Sequence, residues 1–314
     1  MTRPLNIAHR GGAGLRPENT LAAFRDAVAR GAGGAELDVQ LSKDGQVVVY
    51  HDYRLKPEIT RLNGHWLSRP TPRIKDLRLA ELESFDIGRC DPHSKYAAEH
   101  PDVRAADGER IPTLADVVAV AKTARQDFWL QVELKTSFAH REEGPDPAAL
   151  AEAAVKVLRE AGYLHRTIFV GFDWPALLHA KKLAPQTACW FTTLAQSWFA
   201  DGPVPPEDDP PSDAVLQMLR HWAKTGTSPW AGGFDAVKYD GSILKAIKAA
   251  GGDGWFPPYG DINPMRVSFA RALGLKVGAW TVDEPKDMRR MIDCGLDAIC
   301  TDRPDRLSAL LAGG

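Results

Sequence analysis

Apolar residues follow two different spacings along this chain, and the two spacings alternate. Short apolar runs predict buried strands, whereas segments with apolar residues three and four positions apart predict amphipathic helices. The predicted strands are the run that begins at Ile7, the run around Glu36, and residues 128–135, 167–172, 187–192, 234–239, 276–281 and 297–301. The predicted helices are residues 19–30, 114–124, 147–161, 174–183, 213–223, 242–250, 265–273 and 285–294.

This alternation predicts a parallel sheet with helical connections, either closed as a barrel or open and doubly wound. Candidate chemical groups follow the first, second, third and seventh predicted strands. A barrel brings all of those carboxyl ends to one face, whereas an open sheet favours its switch point. We therefore expect an α/β fold of the (β/α)8 TIM barrel type.

Residues 53–112 interrupt the alternation with many prolines and charged residues. We expect this segment to be a capping insertion after the second strand, with one short helix that includes Leu77, Leu79, Leu82 and Phe85. The alternative is an independent folding unit. The expected organisation is a single domain over residues 1–314 that carries this insertion. A second irregular segment, residues 195–234, contains a proline-rich loop from Pro203 to Pro211.

Composition argues against several classes of protein. Of 314 residues, 44% are hydrophobic and 25% are charged, and no apolar run approaches the ~20 residues that a membrane span needs. The formal net charge of −2 argues against a general nucleic-acid binder. The first strand begins so close to the N-terminus that the given sequence leaves no room for a secretory signal, so we expect a cytoplasmic location unless a leader peptide has been removed. The four cysteines form no Cys-x-x-Cys pair, which argues against a zinc knuckle.

Two carboxylates on the second predicted strand point to the same face. Glu36 and Asp38 stand two positions apart, and side chains alternate between faces along a strand. The Asp44-Gly45 pair that follows predicts a hairpin turn. Counting back from that turn sets His51 opposite Asp38, within one residue.

A third acid, Glu133, lies on the third predicted strand, and Lys135 shares its inward face. Three carboxylates brought together would raise one another's pKa, and a divalent cation removes that conflict. Ligation by oxygen alone suits Mg²⁺, Ca²⁺ or Mn²⁺. Glu36, Asp38 and Glu133 are therefore the predicted ligands of one divalent cation. For either glutamate taken alone, the alternative is an ion pair with a buried arginine or lysine.

Ordered motifs make this chain similar to a known family. They are His9-Arg10-Gly11, Glu36-Leu37-Asp38, His51-Asp52, Glu133-Leu134-Lys135, Trp280-Thr281-Val282 and Thr301-Asp302-Arg303-Pro304. In this order and at these spacings, the set resembles the glycerophosphodiester phosphodiesterase family over nearly the whole chain. The resemblance implies a metal-dependent barrel enzyme that hydrolyses a small glycerophosphodiester to glycerol 3-phosphate and an alcohol. One departure is Tyr50, where relatives often have a proline or an aliphatic residue before the His-Asp pair.

The resemblance also implies roles for single residues. His9 and His51 would serve as the acid and base pair, in an order that the motif leaves open. Independently of the resemblance, Lys135 on the inward face of its strand and Arg10 after the first strand are expected to reach an anion beside the metal and to stabilise negative charge on a phosphate. Trp280 would line the pocket for the glycerol or the head group.

Three further residues are candidates near the same pocket. Phe172, after the fourth strand, is a candidate of the same kind as Trp280. Glu18 is expected to turn into the pocket and contact the substrate. Asn19 is the predicted N-cap of the first helix.

Two alternatives to a small-diester hydrolase remain at this point. One is a phospholipase D-like activity on lysophospholipids, which would need an apolar groove. The other is a non-catalytic barrel that binds a phosphate ligand. The expected discrimination comes from Trp280 and the insertion, with short head groups preferred over lysophospholipids. The sequence predicts no oligomeric state. Residues that would line the groove, or simply pack under loops, are Trp222, Trp230, Trp255 and Phe256.

Overall fold

The computed structural model describes residues 3–200, 202 and 211–313. Eight parallel strands form a closed barrel, in which the first strand pairs with both the second and the last. The predicted α/β fold and TIM barrel are therefore confirmed. The barrel strands are β1 (Leu5–Ala8), β2 (Gly34–Leu41), β7 (Trp129–Leu134), β8 (Thr167–Gly171), β9 (Ala188–Thr192), β10 (Gly254–Phe256), β11 (Lys276–Ala279) and β12 (Ala298–Thr301). The remaining strands are β3 (Val47–Val49), β4 (Arg61–Leu62), β5 (His65–Trp66) and β6 (Phe85–Asp86).

Helices lie between the barrel strands, and all eight predicted helices are present. The C-terminal helix was not predicted. The helices are α1 (Leu21–Ala29), α2 (Leu79–Leu82), α3 (Lys95–Glu99), α4 (Leu114–Ala121), α5 (Pro147–Glu160), α6 (Trp174–Leu183), α7 (Asp213–Thr225), α8 (Ile243–Ala249), α9 (Pro264–Ala272), α10 (Pro285–Asp293) and α11 (Pro304–Ala312).

Side chains fill the barrel and the layer between the barrel and its helices. Strands buried on both faces carry near-continuous apolar runs, which is why their sequences lack the alternation of a half-exposed sheet. The larger cluster packs the outer faces of the strands against the helices. The smaller cluster fills the barrel interior and comprises Ile7, Ile168, Val170, Trp190, Phe256, Ala298 and Cys300.

The sixth strand is the one element that was predicted at the wrong place. The run at 234–239 forms a short 3₁₀ helix, Ala236–Tyr239, which ends at Asp240 in the left-handed conformation (φ 57°). The sixth barrel strand is β10, which lies between the predicted helices at residues 242–250 and 265–273, where no strand was predicted. It spans only three residues, too few to show a strand spacing. Trp255 and Phe256 are therefore buried barrel residues, 0% and 3% exposed, and do not line a groove.

The segment after β3 has structure of its own. It contains a three-stranded sheet in the order β5-β4-β6, and the short helix predicted there is present as α2. Apolar side chains from the hairpin and the segment pack together, among them Tyr50, Leu55 and Ile74. That residues 53–112 form a capping insertion within a single domain remains a prediction.

The predicted loop from Pro203 to Pro211 lies outside the described residues, except for Gly202 beside it and Pro211. Among the helices that are described, none has the length and apolar character that crossing a membrane requires.

Candidate active site

The hairpin that follows β2 brings His51 to the carboxyl end of the barrel. In this hairpin Val39 pairs with Val49, so Asp38 lies opposite Tyr50, one residue from the predicted partner. The shift arises because the turn has three residues, with the Gly45 amide bonded to the Ser42 carbonyl, and not two. The predicted placement of the histidine, within one residue, is confirmed.

Three acids meet at the ends of two adjacent strands. Asp38 lies beside Glu133 in the pairing of β2 with β7, and Glu36 is two positions earlier on β2. One carboxylate oxygen from each acid lies within 4.8 Å of the others. Glu36 and Asp38 are almost completely buried. The predicted convergence of these acids is therefore present, and their oxygen atoms are spaced closely enough to share one cation.

The acids differ in the charges that surround them. Burial, followed by repulsion from Asp38, raises the pKa of Glu36 to about 8. Burial acts in the same direction on Asp38, but its interactions with His51 and with the positive charges of Arg10 and Lys135 outweigh burial and hold the pKa of Asp38 below the usual value. The ionised form of Glu36 is therefore unfavourable in this site unless a cation binds beside it.

Two cationic side chains flank the acids. The Lys135 ammonium lies 2.9 Å from Glu133 Oε1 and 3.7 Å from Asp38 Oδ1. Arg10 occupies the left-handed conformation (φ 49°), and its backbone N–H donates to Glu36 Oε2 at 3.0 Å. Gly11 follows, also at positive φ, and a Cβ there would come within 2.7 Å of the Ala23 side chain. The tight turn after β1 thus needs glycine next to the arginine.

His9 is oriented by an aspartate from the opposite end of the chain. Its Nδ1 lies 2.7 Å from Asp302 Oδ1, and its Nε2 lies 3.9 Å from Glu36 Oε2. A carboxylate can only accept, so Nδ1 carries a proton and Nε2 faces the acids. Burial would lower the pKa of His9, but the charge of Asp302 outweighs it and raises that pKa to about 9.

His51 has the opposite electrostatic character. Its Nδ1 lies 3.4 Å from Asp52 Oδ1. Burial, and then the charges of Arg10 and Lys135, hold the pKa of His51 well below its usual value. At neutral pH the site therefore contains one histidine that favours the cation and one that favours the neutral ring.

Glu18 reaches the site through Arg10. Both oxygens of Glu18 lie 3.1 Å from the same guanidinium nitrogen, and the Tyr96 hydroxyl donates to Glu18 Oε2 at 2.8 Å. Tyr96 belongs to α3, so the segment after β3 contributes directly to the site. Tyr96 was not predicted as a site residue, because α3 has only five residues and is too short to show a helical spacing.

Asn19 is not the N-cap of α1. The cap is Thr20, whose side chain accepts from the Ala23 amide. Asn19 has a positive φ of 56°, and its side chain instead donates to Asp38 Oδ2 at 2.9 Å. The prediction failed because either residue type can cap a helix, and contact with Asp38 determines which one does.

The two candidate aromatic residues, Phe172 and Trp280, contact each other. The rings of Phe172 and Trp280 pack edge to face, with centroids 5.5 Å apart, and the Trp280 indole donates to the Phe256 carbonyl. Phe172 also lines a cleft that contains Glu133 and Lys135. Tyr50, which departs from the family pattern, is buried instead, and its hydroxyl accepts from the Lys56 amide.

Comparison with known proteins identifies the family. Residues 9–306 match the model of the glycerophosphoryl diester phosphodiesterase family, and this range contains all the residues of the site described above. The chain belongs to this family. It is therefore an enzyme of the phosphoric diester hydrolase class, which removes the non-catalytic barrel from the alternatives.

Three relatives cover nearly the whole chain. A Mycobacterium tuberculosis protein named "Probable glycerophosphodiester phosphodiesterase 1" is 52% identical over 313 residues, 99% of this chain and 93% of the relative. A glycerophosphodiester phosphodiesterase from Caldanaerobacter subterraneus subsp. tengcongensis is 30% identical over 99% of both chains. A phosphodiesterase from Oleispira antarctica, solved with the product sn-glycerol-3-phosphate, has a TM-score of 0.67 and 25% identity, covering 98% of this chain and 96% of its own.

Proposed function

We propose that this enzyme hydrolyses glycerophosphodiesters to glycerol 3-phosphate and an alcohol, with one divalent cation held by Glu36, Asp38 and Glu133. The observation that carries the proposal is the convergence of three acids, two cations and two histidines at one end of the barrel. The structure of the Oleispira antarctica relative with sn-glycerol-3-phosphate supports the product.

The donor set fits a hard divalent cation. All three predicted ligands offer carboxylate oxygens, which suit Mg²⁺, Ca²⁺ or Mn²⁺. The raised pKa of Glu36 supports the same conclusion, because a cation would stabilise the ionised carboxylate that burial disfavours. When bound, such a cation supplies Lewis-acid stabilisation of negative charge on a phosphoryl oxygen.

Arg10 and Lys135 would bind the phosphate beside these acids. Lys135 is buried among carboxylates that raise its pKa, so it stays charged. Arg10 is fixed by its contacts with Glu18 and, at 3.4 Å, with Asp38. Both cations are therefore positioned before the substrate arrives, which is the arrangement that stabilises developing charge most effectively.

The histidines would exchange protons with the two oxygens that change partners at phosphorus. His9, held in its protonated form by Asp302, would donate a proton from Nε2 to the leaving alcohol. His51, held in its neutral form, would accept a proton from the attacking hydroxyl group. The nucleophile would be water or a hydroxyl of the glycerol itself. In the second case a cyclic phosphate would form as the alcohol leaves, and water would then open it to give glycerol 3-phosphate.

A direct test is the release of glycerol 3-phosphate from glycerophosphocholine, glycerophosphoethanolamine and glycerophosphoglycerol in the presence of each cation in turn. We expect product from at least one diester, and a strong loss in the His51→Ala variant. Lys156→Ala provides a matched control, because Lys156 lies exposed on α5. Absence of product from every diester with every cation would contradict the proposal. The cytoplasmic location remains a prediction from the sequence.

A further inference from the structure

One glutamine inside the barrel is completely buried, and its amide group is unbonded at both ends. Gln131 lies on β7 and is 0% exposed. Neither its Nε2 nor its Oε1 has a hydrogen-bond partner within the described part of the chain. Buried polar groups in folded proteins nearly always have a partner, so an amide of this kind is unusual.

The Gln131 side chain points into the barrel, beside the predicted metal ligands. Side chains alternate between faces along β7, and the flanking residues Leu130 and Val132 belong to the cluster that packs against the helices. Gln131 therefore shares the inward face of Glu133, which is two positions further along. It also pairs with Glu36 on β2, and adjacent strands lie only about 4.8 Å apart.

The neighbours of Gln131 on its other side are apolar. β8 places Ile168 beside Gln131 and Val170 beside Glu133. Both belong to the cluster that fills the barrel interior, whose side chains carry no carbonyl, hydroxyl or charged group. Among the side chains that adjoin Gln131 in the sheet, the acids are therefore the strong acceptors. An aliphatic side chain at this position would fill the interior without leaving a polar atom unbonded.

The three acids differ in the donors that hold them. Asp38 accepts from the Asn19 side-chain amide at 2.9 Å, and Glu133 lies 2.9 Å from the Lys135 ammonium. Within the described residues, Glu36 accepts a hydrogen bond only from a backbone N–H. Glu36 is therefore the one acid of the three without a side-chain donor, although it is almost completely buried.

We propose that Gln131 is a positioning residue of the cation site, and that its Nε2 donates to the Glu36 carboxylate in the cation-bound enzyme. This inference rests on the proposed binding of one divalent cation by the three acids. A carboxylate only accepts, so the amide presents its N–H group to Glu36. The contact would hold Glu36 in the orientation that faces the cation, as Asn19 holds Asp38.

Gln131 should act in opposite directions with and without the cation. Without the cation, the buried amide has no partner, so an apolar side chain of similar size should preserve or increase the stability of the barrel. With the cation, the same substitution removes the donor to Glu36 and weakens cation binding. A residue with a purely structural role would affect both states alike.

Gln131→Met and Gln131→Leu, both similar in size to glutamine, test the inference. Each protein is treated with chelator, freed of it, and titrated calorimetrically with Mg²⁺, Ca²⁺ or Mn²⁺. For the cation that the wild type binds most tightly, we expect Kd to rise roughly 10- to 100-fold in both variants. Their Tm in chelator should equal or exceed that of the wild type. Ile168→Leu is the matched control, because it alters packing beside Gln131 without removing an amide, and it should keep the wild-type Kd.

Three results would overturn the inference. If the wild type and both variants bind the cation with equal Kd, Gln131 does not position Glu36, whereas the proposed cation site stands. If the variants unfold in chelator, or melt clearly below the wild type, the amide serves the stability of the barrel instead. If the wild type binds none of the three cations, the inference fails together with the proposed cation site, and release of glycerol 3-phosphate then decides separately whether the diesters are hydrolysed.

Discussion

The Nδ1 atom of His9 lies 2.7 Å from Oδ1 of Asp302, which is 293 positions further along the chain. The contact exists because β1 pairs with β12 when the barrel closes. It fixes the ring so that Nε2 faces Glu36. The closure of the barrel is therefore also what orients the proposed general acid.

Asp302→Asn should lower kcat by less than the ~10²- to 10⁴-fold expected for removal of His9 itself. The Asp302 carboxylate raises the pKa of His9, so its removal lets His9 lose its proton at lower pH. We expect the basic limb of the pH profile of kcat to move to lower pH. Asp305→Asn, which alters a partner of Arg303, is the control. An unchanged basic limb would show that Asp302 does not set the protonation of His9.

His51→Ala should reduce kcat by roughly 10²- to 10⁴-fold, because a positioned general base is lost. The pKa of His51 lies well below 6.5, so the wild-type base remains neutral at mildly acidic pH and the acidic limb should lie below that value. The variant should lose this limb while it binds the divalent cation as before, which equilibrium titration would show. A change confined to KM would indicate a binding role instead.

Tyr96→Phe removes the hydroxyl that donates to Glu18. Glu18 in turn holds the Arg10 guanidinium, so we expect weaker binding of the phosphate, with a rise in KM larger than the fall in kcat. A hydrogen bond to a charged group contributes about 1.5–3 kcal/mol, which also predicts a lower Tm. Tyr239→Phe changes a ring distant from this contact and controls for loss of a hydroxyl. If Tyr96→Phe keeps the wild-type KM and Tm, the hydroxyl that α3 supplies does not support the binding of the phosphate.

Gly34→Ala should destabilise the barrel. A Cβ at this position would come within 2.3 Å of the Trp129 carbonyl oxygen, so β2 and β7 would have to separate. Such overpacking typically costs about 1–3 kcal/mol, which urea unfolding would detect. Gly260→Ala is the control, because no atom lies within 4 Å of a Cβ there. Equal stability of the two variants would mean that the strands tolerate the added methyl group.

Local rules were sufficient for the acidic part of the site. Alternation along β2 places Glu36 and Asp38 on one face. The turn then places His51 within one residue of the position opposite Asp38, which Tyr50 occupies. Neither inference needs the rest of the fold. The repeated strand and helix spacings limited the fold to a closed barrel or an open doubly wound sheet, and the candidate groups after four of the strands favoured the barrel.

Contacts between distant segments were not predictable in this way. Tyr96 reaches Glu18 from a five-residue helix in an irregular segment, and Asn19 turns to Asp38 although its neighbour caps the helix. The sixth strand was misplaced because β10 has only three residues, and pairing with β9 and β11 defines it more than its own sequence does. In each case the decisive partner lies far away along the chain.

In the proposed mechanism, hydrolysis requires one cation held by Glu36, Asp38 and Glu133. The most direct measurement is glycerol 3-phosphate release from glycerophosphocholine by chelator-treated enzyme, during stepwise return of Mg²⁺, Ca²⁺ or Mn²⁺. We predict no product before return, restoration by at least one cation in the wild type, and a much higher cation requirement in Glu36→Gln and Glu133→Gln with the fold retained. Undiminished turnover after chelation, or the same cation requirement in all three proteins, would show that these acids do not hold a cation required for hydrolysis.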